Sequence, residues 1–204
     1  MKPKKIVEVG YDRISHNYNE YRRISVNKRE LDSFLDHLPK QSTILDIGCG
    51  SGLVAKFLTD KGLKVIGIDT SRNMLTLARK IAPSAKFYKI DMKQMRFPSN
   101  EFDGVMALYS IIHVPRKYHV RIFKKIYQIL KPNGIALLSV GGSNLENSIE
   151  DNWMNWGTKM YWSHFDKDTN FKLVKRSGFK IISCRLSGEK GDKHPFILAQ
   201  KANI

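Results

Sequence analysis

The strongest constraint on the fold is a regular alternation of short apolar runs with longer amphipathic stretches. Five apolar runs predict strands at residues 43–47, 64–68, 86–90, 102–108 and 134–140. The intervening stretches predict helices near residues 52–61, 71–80 and 116–130. Because the runs are apolar on both faces and alternate with helices, they predict an α/β fold with a parallel sheet covered on both sides and right-handed crossovers.

The two ends of the chain depart from this alternation. Residues 11–38 are polar and helix-like, whereas the tail begins with a helix near 167–177. Two further apolar runs follow at 179–187 and 194–201, joined by a short polar turn, and such a pair predicts antiparallel strands. Within LKPNG at 130–134, we expect Pro132 to end a helix and Gly134 to open the next strand.

Length and cysteine content limit the class of protein further. A chain of 204 residues can bury a core of its own, and without repeats or linkers it predicts one domain over 1–204. Cys49 and Cys184 form no CxxC pair, so we expect neither disulfides nor a metal site. The location that we expect for such a chain is the reducing cytoplasm. The longest apolar run, 105–114, is too short for a bilayer, and the basic start leads into Glu8 rather than an export signal.

The first predicted strand ends in a glycine-rich loop. Its sequence, ILDIGCGSG, places Asp46 before Gly48, Gly50 and Gly52. Glycines at alternate positions let the backbone turn tightly and approach a ligand closely, although a tight turn without a ligand fits the same pattern. In an open parallel sheet, ligands bind beyond the carboxyl ends of the strands, where this loop is predicted to lie.

Carboxylates also end the second and third predicted strands. Asp69 closes VIGID and Asp91 closes FYKID. A carboxylate at the tip of the second strand can accept hydrogen bonds from both hydroxyls of a ribose. Either acid alone could cap a helix, as Asp69 could for the turn that follows it. Acids at three consecutive strand ends favour a ligand instead.

The loop discriminates between two nucleotide cofactors. Dinucleotides favour GxGxxG, whereas this loop is GxGxG with Leu53 after the last glycine. Asp46 would repel a pyrophosphate, but it suits a ligand that carries an ammonium and a sulfonium. The electrostatics therefore favour S-adenosylmethionine over NAD.

At these residues the sequence resembles the class I S-adenosylmethionine-dependent methyltransferases of the small-molecule type. The resemblance spans roughly residues 40–140: ILDIGCGSG is similar to their glycine-rich motif, VIGIDTS to their ribose motif, KIDM to their adenine motif and LKPNG to the turn before their fifth strand. It implies methyl transfer and a Rossmann-like, mostly parallel sheet of seven strands whose last strand is antiparallel.

The resemblance also implies roles for individual residues. It places Asp46, Gly48 and Gly50 at the methionine moiety, Asp69 at the ribose, Met74 at the adenine face, and Asp91 with Met92 at the adenine edge, and the cofactor-binding set is completed by Cys49, Thr70 and Leu108. Residues 1–40 are similar to a helical cover over the cofactor, with Tyr11 and Tyr21 facing it. Tyr11 could equally be a core aromatic residue.

The methyl acceptor is expected beneath the segment after the fifth strand. By resemblance, residues 141–165 cover the acceptor, and we expect an apolar substrate pocket lined by Tyr109, Trp153, Trp156 and Trp162. A helix that packs its aromatics on the sheet edge is the alternative. His113 and His164 are the candidate catalytic bases, although His113 could instead orient its loop.

Net charge raises a second hypothesis. The chain carries +16, with blocks of +6 at 111–140 and 171–204, separated by a segment of −3 at 141–170. A small-molecule methyltransferase and a basic protein that binds or methylates RNA are both compatible with this charge, as is a non-catalytic relative that retains the cofactor. The acidic cover and the absence of an Asn/Asp-Pro-Pro-Tyr motif favour the small acceptor and make nucleic acid the less favoured partner.

Overall fold

A computed structural model describes residues 1–18, 27–189 and 192–202. Its main sheet has seven strands: β1 (Thr43–Ile47), β2 (Lys64–Asp69), β3 (Lys86–Lys89), β4 (Phe102–Ala107), β5 (Leu130–Ser139), β8 (Phe179–Glu189) and β9 (Asp192–Lys201). A separate pair consists of β6 (Leu145–Glu150) and β7 (Met160–His164). The strand order of the main sheet is β3-β2-β1-β4-β5-β9-β8. The order reverses between β1 and β4, and ligands of open α/β sheets bind beside such a reversal.

Six described helices surround the sheets: α1 (Pro3–Ile14), α2 (Lys28–Leu35), α3 (Leu53–Thr59), α4 (Arg72–Ile81), α5 (His119–Ile129) and α6 (Lys167–Arg176). Leu31, Leu58 and Leu75 anchor α2, α3 and α4 in one buried cluster. Phe123 of α5 and Val174 of α6 belong to another. The sheet is therefore covered on both faces, because α2 to α6 bury apolar stripes in the two clusters that flank it.

The parallel core agrees with the sequence prediction. β1 pairs in parallel with β2 and β4, and β2–β3 and β4–β5 are parallel as well. The predicted antiparallel tail is confirmed, since β9 runs antiparallel to both β5 and β8. The fold class, a Rossmann-like sheet of seven strands with an antiparallel last strand, is thus the one expected.

Two boundaries differ from the sequence prediction. The first helix begins at Pro3, well before residue 11, because Pro is tolerated in the first turn of a helix. At LKPNG, α5 already ends at Ile129 and β5 begins at Leu130. Regular pairing with β4 skips from Leu130 to Ile135, so Pro132 lies in a bulge rather than at a helix end.

The segment 141–165 is a β-hairpin, and the helix considered for it is wrong. β6 and β7 pair antiparallel, and a short 3-10 turn at Trp153–Asn155 lies between them.

Among the described helices, none has the length and apolarity that a membrane span requires. The described residues also hold no group of three or more His, Cys, Asp or Glu side chains that could bind a metal ion.

Candidate functional site

The glycine-rich loop turns through positive φ at each of its three glycines. Gly48, Gly50 and Gly52 have φ of 75°, 52° and 82°. A Cβ at Gly48 would lie 2.3 Å from the Cβ of Ser110, and one at Gly52 would lie 2.9 Å from the Cα of Ala78. At Gly48 and Gly52 the loop therefore packs so closely against a neighbouring residue that only glycine fits, whereas at Gly50 the positive φ alone favours glycine. Helix α3 starts one residue later than expected, at Leu53, with Gly52 as its N-cap.

Asp69, at the tip of β2, ties that strand to the loop. Its Oδ2 accepts a hydrogen bond from the Gly50 N–H at 3.0 Å, and its Oδ1 accepts one from the Ser71 N–H at 2.9 Å. Burial raises the pKa of this carboxyl, and the hydrogen bonds from backbone amides oppose that rise. Asp69 thus holds the loop in place and lines the cleft beside it.

Asp46, at the end of β1, is buried and incompletely paired. Its side chain is only 3% exposed, and its Oδ2 has no hydrogen-bond partner among the described residues. Burial, with a smaller contribution from the negative charge of Asp69, raises the pKa of Asp46 to about 7. An unpaired buried carboxylate is costly unless a cation compensates it. The site therefore fits a ligand with a positive group near β1.

Two adjoining clefts open at this edge of the sheet. The larger has a volume of about 750 Å³ and extends from Asp69 and Asp91 to Tyr11 and His113. The smaller, of about 570 Å³, contains Asp46. The walls shared by both clefts are formed by Tyr18, Gly48, Gly50, Leu108 and Tyr109. Each cleft has the volume of a small-molecule site, at the position where open α/β sheets bind ligands.

Comparisons with known proteins agree with this geometry. Residues 44–134 match the methyltransferase domain family. The chain is 32% identical to YqeM of Bacillus subtilis over 111 residues, 52% of this chain and 45% of that protein. It is 34% identical to 2-methyl-6-phytyl-1,4-hydroquinone methyltransferase of Synechocystis over 110 residues, 52% of this chain and 34% of that enzyme. A solved S-adenosylmethionine-dependent methyltransferase from Methanosarcina mazei superposes with a TM-score of 0.74 at 25% identity, covering 83% of this chain and 97% of that one.

Residues 44–134, the matched part of the chain, have the sequence and fold of a class I S-adenosylmethionine-dependent methyltransferase domain. The chain spans less than half the length of the two curated relatives named above. The cofactor of this methyltransferase family is S-adenosylmethionine, and the residues present fit it. The unpaired Oδ2 of Asp46 suits its ammonium group, and the carboxylate of Asp69 at the β2 tip suits its ribose.

The structure gathers most of the predicted cofactor-binding residues of the methyltransferase. The larger cleft is lined by Tyr11, Gly48, Gly50, Asp69, Thr70, Asp91, Met92 and Leu108. Asp46 and Cys49 line the smaller cleft. Met74 lines neither, because its fully buried side chain packs with Ile14, Trp153 and Met160, where α1 meets the hairpin. Tyr21 lies outside the described residues.

Tyr11 and His113 form a hydrogen-bonded pair inside the larger cleft. The Nδ1–H of His113 donates to the carbonyl of Tyr161 at 2.8 Å, so its Nε2 accepts the Tyr11 hydroxyl at 3.0 Å. The indole of Trp162 lies 4.5 Å from the His113 ring, and Trp153 lies 5.4 Å from Tyr11. The hairpin segment 141–165 thus fixes the tautomer and orientation of His113 through the Tyr161 carbonyl.

Helix α1, which carries Tyr11, is fastened by polar contacts. Asp12 Oδ1 accepts the Ser71 hydroxyl at 2.5 Å and the Asn73 N–H at 3.1 Å. Glu8 pairs with Lys89 at 2.5 Å. Ser71 is also the N-cap of α4, so this helix start positions both α1 and the wall of the cleft.

The predicted substrate pocket and second base are arranged differently from the expectation. Of the four predicted pocket residues, only Tyr109 lines the two clefts. None of the three tryptophans lines either cleft, although Trp153 contacts the rings of Tyr11 and His113 and Trp162 contacts that of His113. His164 lines a separate groove beside β6, and its Nδ1–H donates to the Ser143 carbonyl at 2.7 Å. The two candidate histidines therefore do not share a cavity.

Several further cleft residues were not predicted from the sequence. Lys4, Tyr18, Asn27 and Ser110 line one or both clefts. The Ser110 hydroxyl donates to the Ile47 carbonyl at 2.7 Å, and the Tyr109 hydroxyl donates to Asn27 Oδ1 at 2.9 Å. Tyr109 itself has a φ of 52°, a conformation that bulky residues rarely adopt. Contacts between residues so distant in sequence leave no local pattern.

The acidic cover is largely neutralised, which weakens the charge argument made from the sequence. Glu146 pairs with Arg116, and Asp151 pairs with Lys159 at 2.5 Å. Glu150 accepts the indole N–H of Trp162 at 3.2 Å. The other acids of segment 141–170 lie at the start of α6 rather than in the cover. Repulsion of a phosphate chain by the cover is therefore smaller than its formal charge implies.

We expect Asp46→Asn to flatten the pH dependence of stability in the cofactor-free protein. The folded-state pKa of about 7 exceeds the ordinary value of 3.8. The contribution of this raised pKa to the free energy of unfolding is therefore fully present below pH 3.8. It is lost as the pH rises through 7, by up to about 4 kcal/mol. Denaturant unfolding at about pH 5 and about pH 8 measures the part of this loss between those values, about 3 kcal/mol, which the variant should not show.

The exposed Asp60, paired with Lys56, supplies the control. Asp60→Asn should keep the wild-type pH dependence, because its carboxyl is not buried. Calorimetry should also show weaker S-adenosylmethionine binding to Asp46→Asn. Equal pH dependence in wild type and Asp46→Asn would contradict the raised pKa of the buried Asp46 carboxyl.

Proposed function

We propose that this protein transfers a methyl group from S-adenosylmethionine to a small organic molecule. The observation that supports this most directly is the larger cleft, which extends past the glycine loop to the Tyr11–His113 pair. An acceptor bound there would lie beside the loop that is expected to hold the cofactor. Helix α1 lines this cleft and β7 packs against α1, which favours an acceptor of limited size. We also propose that residues 1–204 form one domain.

The chain's own contribution to the reaction is to position the acceptor and, where the acceptor must lose a proton, to remove it. When bound, the cofactor supplies a methyl group activated by its sulfonium. Tyr109 and Tyr18 form walls where the two clefts meet, and these walls hold the acceptor in line and exclude water. A base is needed only for an acceptor that must lose a proton.

Proton removal is assigned to Tyr11 and His113 acting together. Because Nε2 of His113 already accepts the Tyr11 hydroxyl, the imidazole reaches the acceptor through that oxygen. An acceptor O–H or N–H placed against the Tyr11 oxygen passes its proton there, while the Tyr11 proton moves to Nε2. The Tyr161 carbonyl accepts Nδ1–H throughout and stabilises the imidazolium that forms.

The names of relatives support a small acceptor without identifying it. They include 2-methyl-6-phytyl-1,4-hydroquinone methyltransferase of Synechocystis and ubiquinone biosynthesis O-methyltransferase of Pelagibacter ubique. Phosphoethanolamine N-methyltransferase 2 of Caenorhabditis elegans is also similar. Those names cover both oxygen and nitrogen acceptors.

Radiolabelled methyl transfer tests the proposal. Protein and labelled S-adenosylmethionine are incubated at physiological salt with either a small-metabolite fraction or total RNA. We expect label in small organic products and none in RNA, and excess S-adenosylhomocysteine should suppress the transfer. Incorporation into RNA alone would replace the proposal with its alternative, an RNA methyltransferase.

A further inference from the structure

A groove lined by cations lies on the face of the sheet covered by α5 and α6, separate from the Tyr11–His113 pair. It has a volume of about 790 Å³. Its five basic residues are Lys93, Arg96, Arg121, Lys124 and Lys125, and no carboxylate lines it among the described residues. Lys93 and Arg96 form one wall, and α5 forms the other. We call this feature the basic groove.

The α5 wall follows from helical spacing. Ile122, Phe123 and Ile126 bury one stripe of the helix in the core. Arg121, Lys124 and Lys125 consequently share the outer side, where residues three and four apart are neighbours. Their like charges repel, which costs free energy when nothing compensates them.

Few local contacts compensate these cations. Arg96, Arg121 and Lys124 are exposed, and none forms an ion pair with a carboxylate that the structure describes. Lys93 lies 3.5 Å from Asp91, and Lys125 donates to the Phe97 carbonyl at 3.2 Å. The groove therefore concentrates positive charge that a polyanion would neutralise.

We propose that the basic groove binds the phosphodiester backbone of a nucleic acid. Protein interfaces generally bury apolar or aromatic anchors at their centre, whereas nucleic-acid interfaces are polar and strongly positive. On α5, the large apolar side chain that is exposed in the described chain is that of Val120. Val120 does not line the groove, so it provides no apolar anchor there. The two-walled shape fits a strand better than a flat membrane surface.

Binding in the basic groove is independent of base sequence and of methyl transfer. Its lining contains no aromatic side chain in the described chain, so bases have no stacking platform. The groove shares Met92 and Lys93 with the larger cleft, but neither Tyr11 nor His113 lines it. A strand held there contributes phosphates to binding but presents no base to the reacting pair.

The test measures binding of short single-stranded RNA, single-stranded DNA and duplex DNA by fluorescence anisotropy at several salt concentrations. Five phosphate contacts predict a log–log salt slope of about −3.5 for single strands. Replacing Arg96, Arg121 and Lys124 together by Gln should shift that slope by about +2 and weaken binding at least about tenfold near 0.1 M salt. Near-equal affinity for the two single strands places recognition in the phosphates, whereas a strong preference for RNA would overturn it by requiring a 2′-hydroxyl contact.

A matched variant with the same change in net charge controls for non-specific attraction. Lys40, Lys80 and Lys86 are exposed, line none of the clefts or grooves described above, and form no ion pair among the described residues. Their triple replacement by Gln should leave the slope near the wild-type value. Equal losses in both triple variants would overturn the proposal, as would tighter binding of polyglutamate than of nucleic acid. Thermal unfolding checks that both variants fold.

Discussion

His113→Gln should lower the rate of methyl transfer by ~10²-fold or more while leaving cofactor affinity nearly intact. The expectation rests on the Tyr11 hydroxyl, which Nε2 of His113 accepts within the larger cleft. Glutamine can accept that hydrogen bond through its amide oxygen, but it cannot take up the proton. Steady-state kinetics with the acceptor found in the labelling experiment, together with calorimetry of cofactor binding, measure the two effects separately.

Tyr11→Phe is the matched variant, because it removes the hydroxyl and keeps the ring against Trp153 and His113. It should reproduce most of the rate loss. His164→Gln should change kcat little, since His164 lines a different groove, and any effect should fall on the KM of the acceptor. Near-wild-type rates in both Tyr11→Phe and His113→Gln would leave proximity and desolvation as the whole mechanism, as for an acceptor already nucleophilic at neutral pH.

Asp69→Ala should weaken binding of S-adenosylmethionine and of its demethylated product by roughly ten- to a hundredfold, or about 1.5–3 kcal/mol. Two losses contribute in the same direction. The carboxylate is expected to accept the ribose hydroxyls, and it accepts the N–H of Gly50 and of Ser71. Calorimetry with both ligands measures the effect, and circular dichroism checks the fold.

Asp69→Asn separates these two contributions. It keeps one oxygen that can accept a backbone N–H, but it removes the charge that strengthens hydrogen bonds to the ligand. Its affinity should lie between those of wild type and Asp69→Ala. Wild-type affinity in Asp69→Ala, or tight NAD binding without S-adenosylmethionine binding, would contradict the cofactor site described above.

Prediction from sequence succeeded where the signal is local. β1 was placed at its observed bounds, and the glycine loop was recognised, because alternate glycines and an apolar run are read within a few residues. The hairpin at 141–165 was missed, because β6 is mostly exposed and lacks the alternation of apolar residues that marks a half-buried strand. Its net charge was also a poor guide, since Arg116, the partner of Glu146, lies outside the segment.

By itself, the sequence determined the α/β class, the loop at the end of β1 and the acids at the strand tips, since backbone preference and burial period are properties of short segments. Only the tertiary structure decided that Tyr11 meets His113 across 102 positions, that His164 lines another groove and that Asp46 lacks a partner for one oxygen. Those outcomes depend on how distant segments pack and on which polar groups remain unpaired afterwards, and no local pattern encodes either.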